Sequence, residues 1–189
     1  MTGGPSATAP PALLTVGHGT LGAGELSQLL GGAGVESLVD VRSIPASRRH
    51  PQFARAELER WLPEAGVGYR WEQRLGGFRR AQPDSPNVAL RHPSFRGYAD
   101  YMATPEFDAA MRDVLELARD RRATVMCSET LWWRCHRRLL SDAAVLLFDT
   151  AVLHLGHDGR LSPHRLTEGV RRRHDQLVYD GGQARLGEE

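Results

Sequence analysis

Short, unbroken apolar runs alternate along the chain with longer stretches whose apolar residues recur every three or four positions. ALLTVGH, residues 12–18, is the first run. Apolar side chains at nearly every position of so short a segment predict a strand buried on both faces. Leu26, Leu29 and Leu30 follow at helical spacing and predict a helix over 22–32. SLVDVR (37–42) predicts a second buried strand. ARAELERWLPEAG then sets Leu58, Trp61 and Leu62 on one helical face and closes near Gly66. VGYRWE (67–72) predicts a third strand. Residues 73–94 carry no period and are rich in Gly, Pro and Arg; excursions of that length are usually functional or mobile. Helical sequence resumes over 95–120 with a break near Thr104-Pro105. ATVMCSE (123–129) predicts a fourth strand, CHRRLLSDAAVLLFD a helix, and TAVLHLG (150–156) a fifth strand. One short helix is expected after 160.

Strands that alternate with helices and read as continuous apolar runs specify an α/β fold. The expectation is a single domain with a mostly parallel sheet of about five strands and helices on both faces, since crossovers between parallel strands are right-handed. A chain of 189 residues suits one hydrophobic core. The expected bounds are a disordered N-terminal tail over 1–11, the α/β domain over 12–175 and a C-terminal tail over 176–189. No internal repeat is visible.

Composition narrows the function classes. A net charge of +1 does not by itself demand nucleic acid or a membrane. The longest apolar candidate, AAVLLFDTAVLHLG, is interrupted by Asp149, so no membrane span is expected. Residues 1–12 lack the basic start and apolar run of a signal peptide, and two cysteines cannot build a secreted disulfide framework. The expected location is cytoplasmic. There is no lysine: all 24 basic residues are arginine, which excludes a Schiff-base lysine and a P-loop lysine. Arginine stays charged, so proton transfer falls to His, Cys, Asp, Glu or Tyr.

Candidate chemistry gathers at the predicted strand ends. The first strand ends in Gly17-His18, the second carries Asp40 and ends in Arg42, the fourth ends in Cys127 with Glu129 beyond it, and the fifth carries His154. Open parallel sheets bind ligands outside these carboxyl ends. VMCSETLWWRCHRR (125–138) holds both cysteines of the chain, and the helix after the fourth strand opens on Arg134, His136, Arg137 and Arg138. Cations at a helix N-terminus oppose its dipole, and a bound phosphate or carboxylate offsets that clash. Arg42 and Arg137 are expected to point into the cleft and meet such an anion together. Cys135 sits beside a helix start, a histidine and an arginine, all of which lower a thiol pKa. Cys127 reads equally as a small buried hydrophobe. The spacing of the two fits neither a Cys-x-x-Cys redox motif nor a zinc ribbon, while a metal held by both cysteines and a histidine stays open. Glu129 is placed to act as a general base. Asp40, inside an apolar strand, needs an arginine partner. Between Arg42 and Arg96 stand 11 arginines and five acids, interleaved with Phe53, Trp61, Tyr69, Trp71, Phe78 and Phe95, a pattern found in single-strand nucleic-acid binding.

VGHGT, LVDVRSIPASRR, LGGFRR, FRGYADYM and MCSETLWWRCHRRLL occur in this order over about residues 13–155. In these motifs the chain resembles the domain of unknown function 488 family. It departs at Trp132, where family members commonly have proline. The resemblance implies an α/β fold and marks Cys127, Glu129, Cys135, His136 and Arg137, with His18, Asp40, Arg42 and Ser47, as site residues. It implies no particular reaction.

Taken together, the expectation is an enzyme with a Cys/His/Arg/Glu site at the C-terminal edge of the sheet, acting on a small phosphate- or nucleotide-like anion. Cys127, Glu129, Cys135 and His136 are its catalytic candidates. Arg42, Ser47, Arg137 and His18 are its anion-binding candidates, and Asp40 is structural or orienting. This principal reading includes no metal and no cofactor, and leaves oligomeric state open. Two alternatives stand beside it: a nucleic-acid-binding module using residues 42–96, and a metal or thiol redox site at the two cysteines.

Overall fold

The computed structural model describes residues 12–182; the tail expected at 1–11 lies outside them, as do residues 183–189. The described residues form a mixed α/β domain. In chain order its elements are β1 (Leu13–Gly17), α1 (Ala23–Gly32), β2 (Ser37–Asp40), α2 (Arg55–Glu64), β3 (Gly68–Trp71), α3 (Pro93–Met102), α4 (Pro105–Asp120), β4 (Ala123–Cys127), α5 (Arg137–Leu146), β5 (Val152–Leu155), β6 (Leu161–Pro163), β7 (Val170–Arg173) and β8 (Gln176–Tyr179). The main sheet has the order β3-β2-β4-β1-β5-β6. The first five strands are parallel and β6 is antiparallel to β5. No helix among the described residues is long and apolar enough to cross a membrane.

Every residue of β1, β2 and β4 is buried, because helices cover both faces. Leu26 and Leu30 of α1 and Leu58 and Leu62 of α2 pack with Leu14, Val16, Leu38 and Met126. On the other face Tyr98 of α3, Phe107, Met111 and Val114 of α4, and Leu139 and Leu140 of α5 pack with Leu13, Val39 and Val125. Neighbouring residues of one strand thus serve opposite cores, as period-two side-chain alternation requires. The break at Thr104-Pro105 starts a new helix: the Thr104 hydroxyl accepts from Phe107 N–H at 3.3 Å, with proline in the first turn.

Among the described residues no helix forms after residue 160. Three short strands stand there instead, and Gln176–Tyr179, read from the sequence as tail, is half of the hairpin β7-β8. These strands are three or four residues long, too brief for alternation to show in the sequence; β6 and β7 are mostly exposed or half-buried, while Leu177, Val178 and Tyr179 of β8 are buried. Tertiary contacts hold the hairpin. Tyr179 N–H donates to Asn87 Oδ1 at 3.0 Å, and Ala89 N–H donates to the Tyr179 carbonyl at 2.9 Å. The excursion over 73–94 is therefore tied down, with Ser85 and Asn87 also bonded to Asp100.

A buried polar chain links this hairpin to the sheet. Thr15 Oγ1 meets His154 Nδ1 at 2.7 Å, His154 Nε2 meets His164 Nδ1 at 3.0 Å, and His164 Nε2 meets Asp142 Oδ1 at 2.9 Å. Tyr179 donates to the other Asp142 oxygen at 3.0 Å. With both imidazoles neutral, each group donates to the next and the chain ends on the carboxylate. Trp132 stacks on His154 at 4.1 Å and seals it. The sequence signal at His154 thus leads into the core rather than to the strand-end site.

Two close approaches shape the ends of the strands. A Cβ on Gly17 would overlap the Glu129 carbonyl and reach the Arg137 guanidinium, so only glycine lets the loop after β4 cross the end of β1. Asp40, fully buried, takes a two-pronged ion pair from Arg42, with Nε at 2.8 Å and Nη2 at 2.5 Å, and a hydrogen bond from Tyr69 at 3.0 Å.

Burial, aided by nearby positive charge, holds His154 down from 6.5 to about 3, and burial holds His18 down to about 4. The unfolded chain binds these protons from about pH 6.5, whereas the folded chain does so only near pH 3 and 4. Stability from both groups is therefore complete above pH 6.5 and declines as pH falls through that window. Melting temperature followed from pH 8 to pH 4 should drop below about pH 6.5, and less steeply in His154→Gln; equal slopes would exclude His154 as a source. Asp40→Asn should cost about 3–5 kcal/mol in urea unfolding, because it strands a buried guanidinium. A cost under about 1 kcal/mol would mean that solvent reaches Arg42.

Candidate active site

The order of the strands decides where a cleft opens. β4 lies between β2 and β1, whose following helices cover one face, while α5 after β4 covers the other. The chain segments leaving these strands diverge above the end of β4, which makes that end the switch point where α/β sheets bind ligands. A cleft of about 880 Å³ lies there. Its lining includes Arg42, Ser43, Gly77, Phe78, His92, Phe95, Glu129, Trp133 and Arg134, with Cys127, Cys135 and His136 among its buried members.

Cys127 ends β4, a turn over Trp132–Arg134 brings the chain back, and Cys135 and His136 precede α5. The result is a tight trio. His136 Nδ1 lies 3.6 Å from Cys135 Sγ and 3.8 Å from Cys127 Sγ, and all three atoms fall within 4.8 Å of one another. His136 Nε2 lies 3.1 Å from the Val41 carbonyl. A carbonyl only accepts, so Nε2 carries the proton and the Nδ1 lone pair faces the two sulfurs. The edge of the Tyr98 ring holds the imidazole from the side at 5.1 Å, with the Tyr98 hydroxyl anchored to the Leu75 carbonyl.

The two thiols are not equivalent. A hydrogen bond to Cys135, reinforced by burial, pushes the Cys127 thiol well up. The same hydrogen bond, from Cys127, holds Cys135 well down against the effect of burial, with His136 and Arg137 adding to it. Cys135 is therefore the easier of the two thiols to ionise and Cys127 the harder. Arg137, 1% exposed, donates to the Glu129 carbonyl, its Nε has no partner, and it makes no ion pair among the described residues. A buried guanidinium without a carboxylate is costly, and its charge favours ionisation of the neighbouring Cys135 thiol.

The structure brings together Cys127, Cys135 and His136, with Glu129 on the cleft wall. Glu129 is exposed and makes no side-chain hydrogen bond or ion pair among the described residues. Other expected site residues are placed elsewhere. Arg42 touches the cleft, but its donors serve Asp40 and the Phe53 carbonyl. Arg137 lies beneath the loop rather than in the cleft. The donors of Arg42 and Arg137 thus meet separate buried acceptors rather than converging on one point in the cleft. His18 stacks on Phe53 at 4.2 Å, its Nδ1 bonds the Gly19 carbonyl at 3.0 Å, and it does not line the cleft. Ser47 Oγ accepts from His50 N–H in a turn, also outside the cleft. Asp40 supports the floor through Arg42. Gly17 admits protein, the Glu129 carbonyl, instead of a ligand.

Phe78 and Phe95, read in the sequence as part of the basic aromatic stretch, and Arg134, read as a helix-start cation, form the outer wall together with Trp133, which like Gly77 was not singled out; Phe78 is 75% exposed. Gly77 is the most constrained: a Cβ there would stand 2.7 Å from His136 Nδ1 and 2.8 Å from its Cγ. The available signal was the paired glycine in LGGFRR, directly after the third strand. Of the six aromatics read in the basic stretch 42–96, Phe78 and Phe95 line the cleft and the other four are taken up within the fold. Phe53 is buried, Trp61 donates to the Gln52 carbonyl, Tyr69 to Asp40 and Trp71 to the Arg42 carbonyl. Arg55, Arg60, Arg70 and Arg74 are in ion pairs with acids.

No curated protein and no solved structure matches the chain. The family model for the domain of unknown function DUF488 matches residues 23–144. That span runs from the first helix into α5 and takes in the whole trio with Gly77, Glu129 and Arg137. VGHGT, the first motif read in the sequence, precedes it. The match covers well over half of the chain, and the chain belongs to the DUF488 family.

Proposed function

We propose that the cleft is the active site of an enzyme acting on a phosphate-bearing, nucleotide-like substrate. Cys127, Cys135 and His136 are its reacting centre, and Glu129 carries protons. The observation that carries this reading is the convergence of three buried reactive side chains on one point at the floor of an open cleft. Buried cysteines that serve only packing have no need to aim both sulfurs at a histidine lone pair. Wall residues support the substrate class. Trp133, Phe78 and Phe95 offer flat apolar faces to a base, and Arg134 offers a guanidinium to a phosphate. Ser43, Ser94 and Ser128 add hydroxyl groups. Glu129 is the single acid on this wall, and its carboxylate is free of competing partners.

Thermal melting with inorganic phosphate and with nucleoside mono-, di- and triphosphates, at equal ionic strength, tests the reading. A nucleotide at about 100 times its Kd stabilises the fold by about 2.7 kcal/mol, or roughly 5–10 °C for a domain of this size. Phosphate alone should give less. Arg134→Ala and Trp133→Ala should each remove most of the nucleotide shift without changing the ligand-free melting point, since both side chains are solvent-facing. If no nucleotide shifts the wild type, or all three proteins shift equally, the substrate class is wrong. Glu129→Gln should retain the shift and lose product formation from the stabilising nucleotide, followed by chromatography. Undiminished turnover would remove Glu129 from the chemistry.

A further inference from the structure

We propose that Cys127, Cys135 and His136 hold a borderline-soft divalent metal ion, zinc above all, with its fourth position open to the cleft. The ligand geometry stands independently of the substrate class; only the use of the fourth position rests on the cleft being an active site.

Distances carry the proposal. Zinc binds thiolate sulfur at about 2.3 Å and imidazole nitrogen at about 2.0–2.1 Å in tetrahedral sites, which sets nitrogen and sulfur about 3.6 Å apart. His136 Nδ1 stands 3.6 Å from one sulfur and 3.8 Å from the other. Nδ1 has one lone pair and accepts from one thiol at a time, yet both sulfurs stand at the nitrogen–sulfur separation that a tetrahedral ion sets. A cation at the common centre satisfies all three atoms together.

The surroundings meet the further requirements of a metal site. The imidazole is oriented by its other nitrogen, which donates to the Val41 carbonyl at 3.1 Å. Such an outer contact is what fixes the ligating nitrogen in metal-bound histidines. Gly77 leaves room directly over Nδ1, where any Cβ would intrude. All three ligands also line the cleft, which gives an ion its way in. Among the described residues no fourth Cys, His, Asp or Glu joins the group. Closed structural sites have four protein ligands, whereas three leave a position for water or substrate and the ion acts as a Lewis acid. Two sulfurs and an imidazole suit zinc better than magnesium or calcium, which take oxygen.

Charge then connects the ion to the substrate. As zinc binds, each thiol that still carries a proton releases it to solvent. Two thiolates, a neutral imidazole and a divalent ion sum to zero. Arg137, buried beside them and unpaired, leaves the site one positive charge in excess. An anionic oxygen at the fourth position cancels that excess, so the site selects a substrate bearing such an oxygen near the reacting atom.

The protein, produced with zinc in the medium, should carry about one zinc per chain by mass-spectrometric metal analysis. Replacement by cobalt should give sulfur-to-cobalt charge-transfer absorption and the strong visible bands of a tetrahedral ion. Both cysteines should resist a thiol reagent until a chelator is added. Cys135→Ser and His136→Gln should weaken zinc binding about tenfold or more. Gly77→Ala should weaken it with every ligand still in place. The cobalt spectrum of the wild type needs no variant to fold. Wild-type protein that takes up neither metal on reconstitution overturns the proposal, as does reconstituted protein whose thiols react freely or close into a disulfide. That result leaves the substrate reading to the nucleotide melts, and zinc binding without any nucleotide shift would sink the substrate class while the metal site stands.

Discussion

Placing β4 between β1 and β2 constrains everything above the sheet. The helices after β1 and β2 cover one face and the helix after β4 covers the other, so the segments leaving these three strands must part. The gap over Cys127 follows from right-handed crossovers in both directions. A side chain at the end of β4 is thus buried laterally by its neighbours and open upward. Cysteine suits that position, being small enough for the core and reactive enough to matter at its surface. The return of the chain at Cys135 and His136 is equally constrained, since Gly17 alone permits the loop to cross β1.

Buried charge divides into two kinds here. Asp40, Arg42 and Tyr69 form a closed set, each polar atom matched within the fold, and the set braces the start of the segment that carries Val41 and Ser43. The His164–Asp142–Tyr179 group does the same for the C-terminal hairpin. Arg137 is different. Its only hydrogen bond goes to a backbone carbonyl, and its charge is balanced by no carboxylate among the described residues. The same low-dielectric setting that makes this costly makes it effective on any anion nearby. The first turn of α5 carries no acid to quench it, so helix dipole and guanidinium act with one sign.

The Val41 carbonyl joins these features into one device. It fixes which nitrogen of His136 faces the sulfurs, and it belongs to the same short segment that the Asp40–Arg42 pair holds rigid. The geometry of the trio therefore depends on the segment leaving β2, the neighbour of β4 in the sheet, through one hydrogen bond. Gly77 completes the arrangement from above. The outer wall of the cleft, by contrast, is open to solvent, with Phe78 and Trp133 exposed.

Local pattern determined the order and kind of the main elements. Continuous apolar runs at 13–17, 37–40 and 123–127 cannot be solvated on either face, and helical spacing at Leu26, Leu30, Leu58 and Leu62 leaves one face to bury. The sequence likewise put Cys127, Cys135 and His136 together, since only seven residues separate the two cysteines between a strand end and a helix start. It could not say which acceptor a charged group would choose. Arg42 and Arg137 look alike in the sequence as strand-end and helix-start cations, yet one turns to its own strand's aspartate and the other to a loop carbonyl. Those choices depend on which strands end side by side, a long-range property. The hairpin at 170–179 escaped for a related reason: strands of four residues are too short to carry a pattern of their own and exist because Asn87 and Asp142 are there to hold Tyr179. The tertiary structure alone decided the tautomer of His136 and the empty place of Gly77, because each is set by an atom from a distant strand or loop.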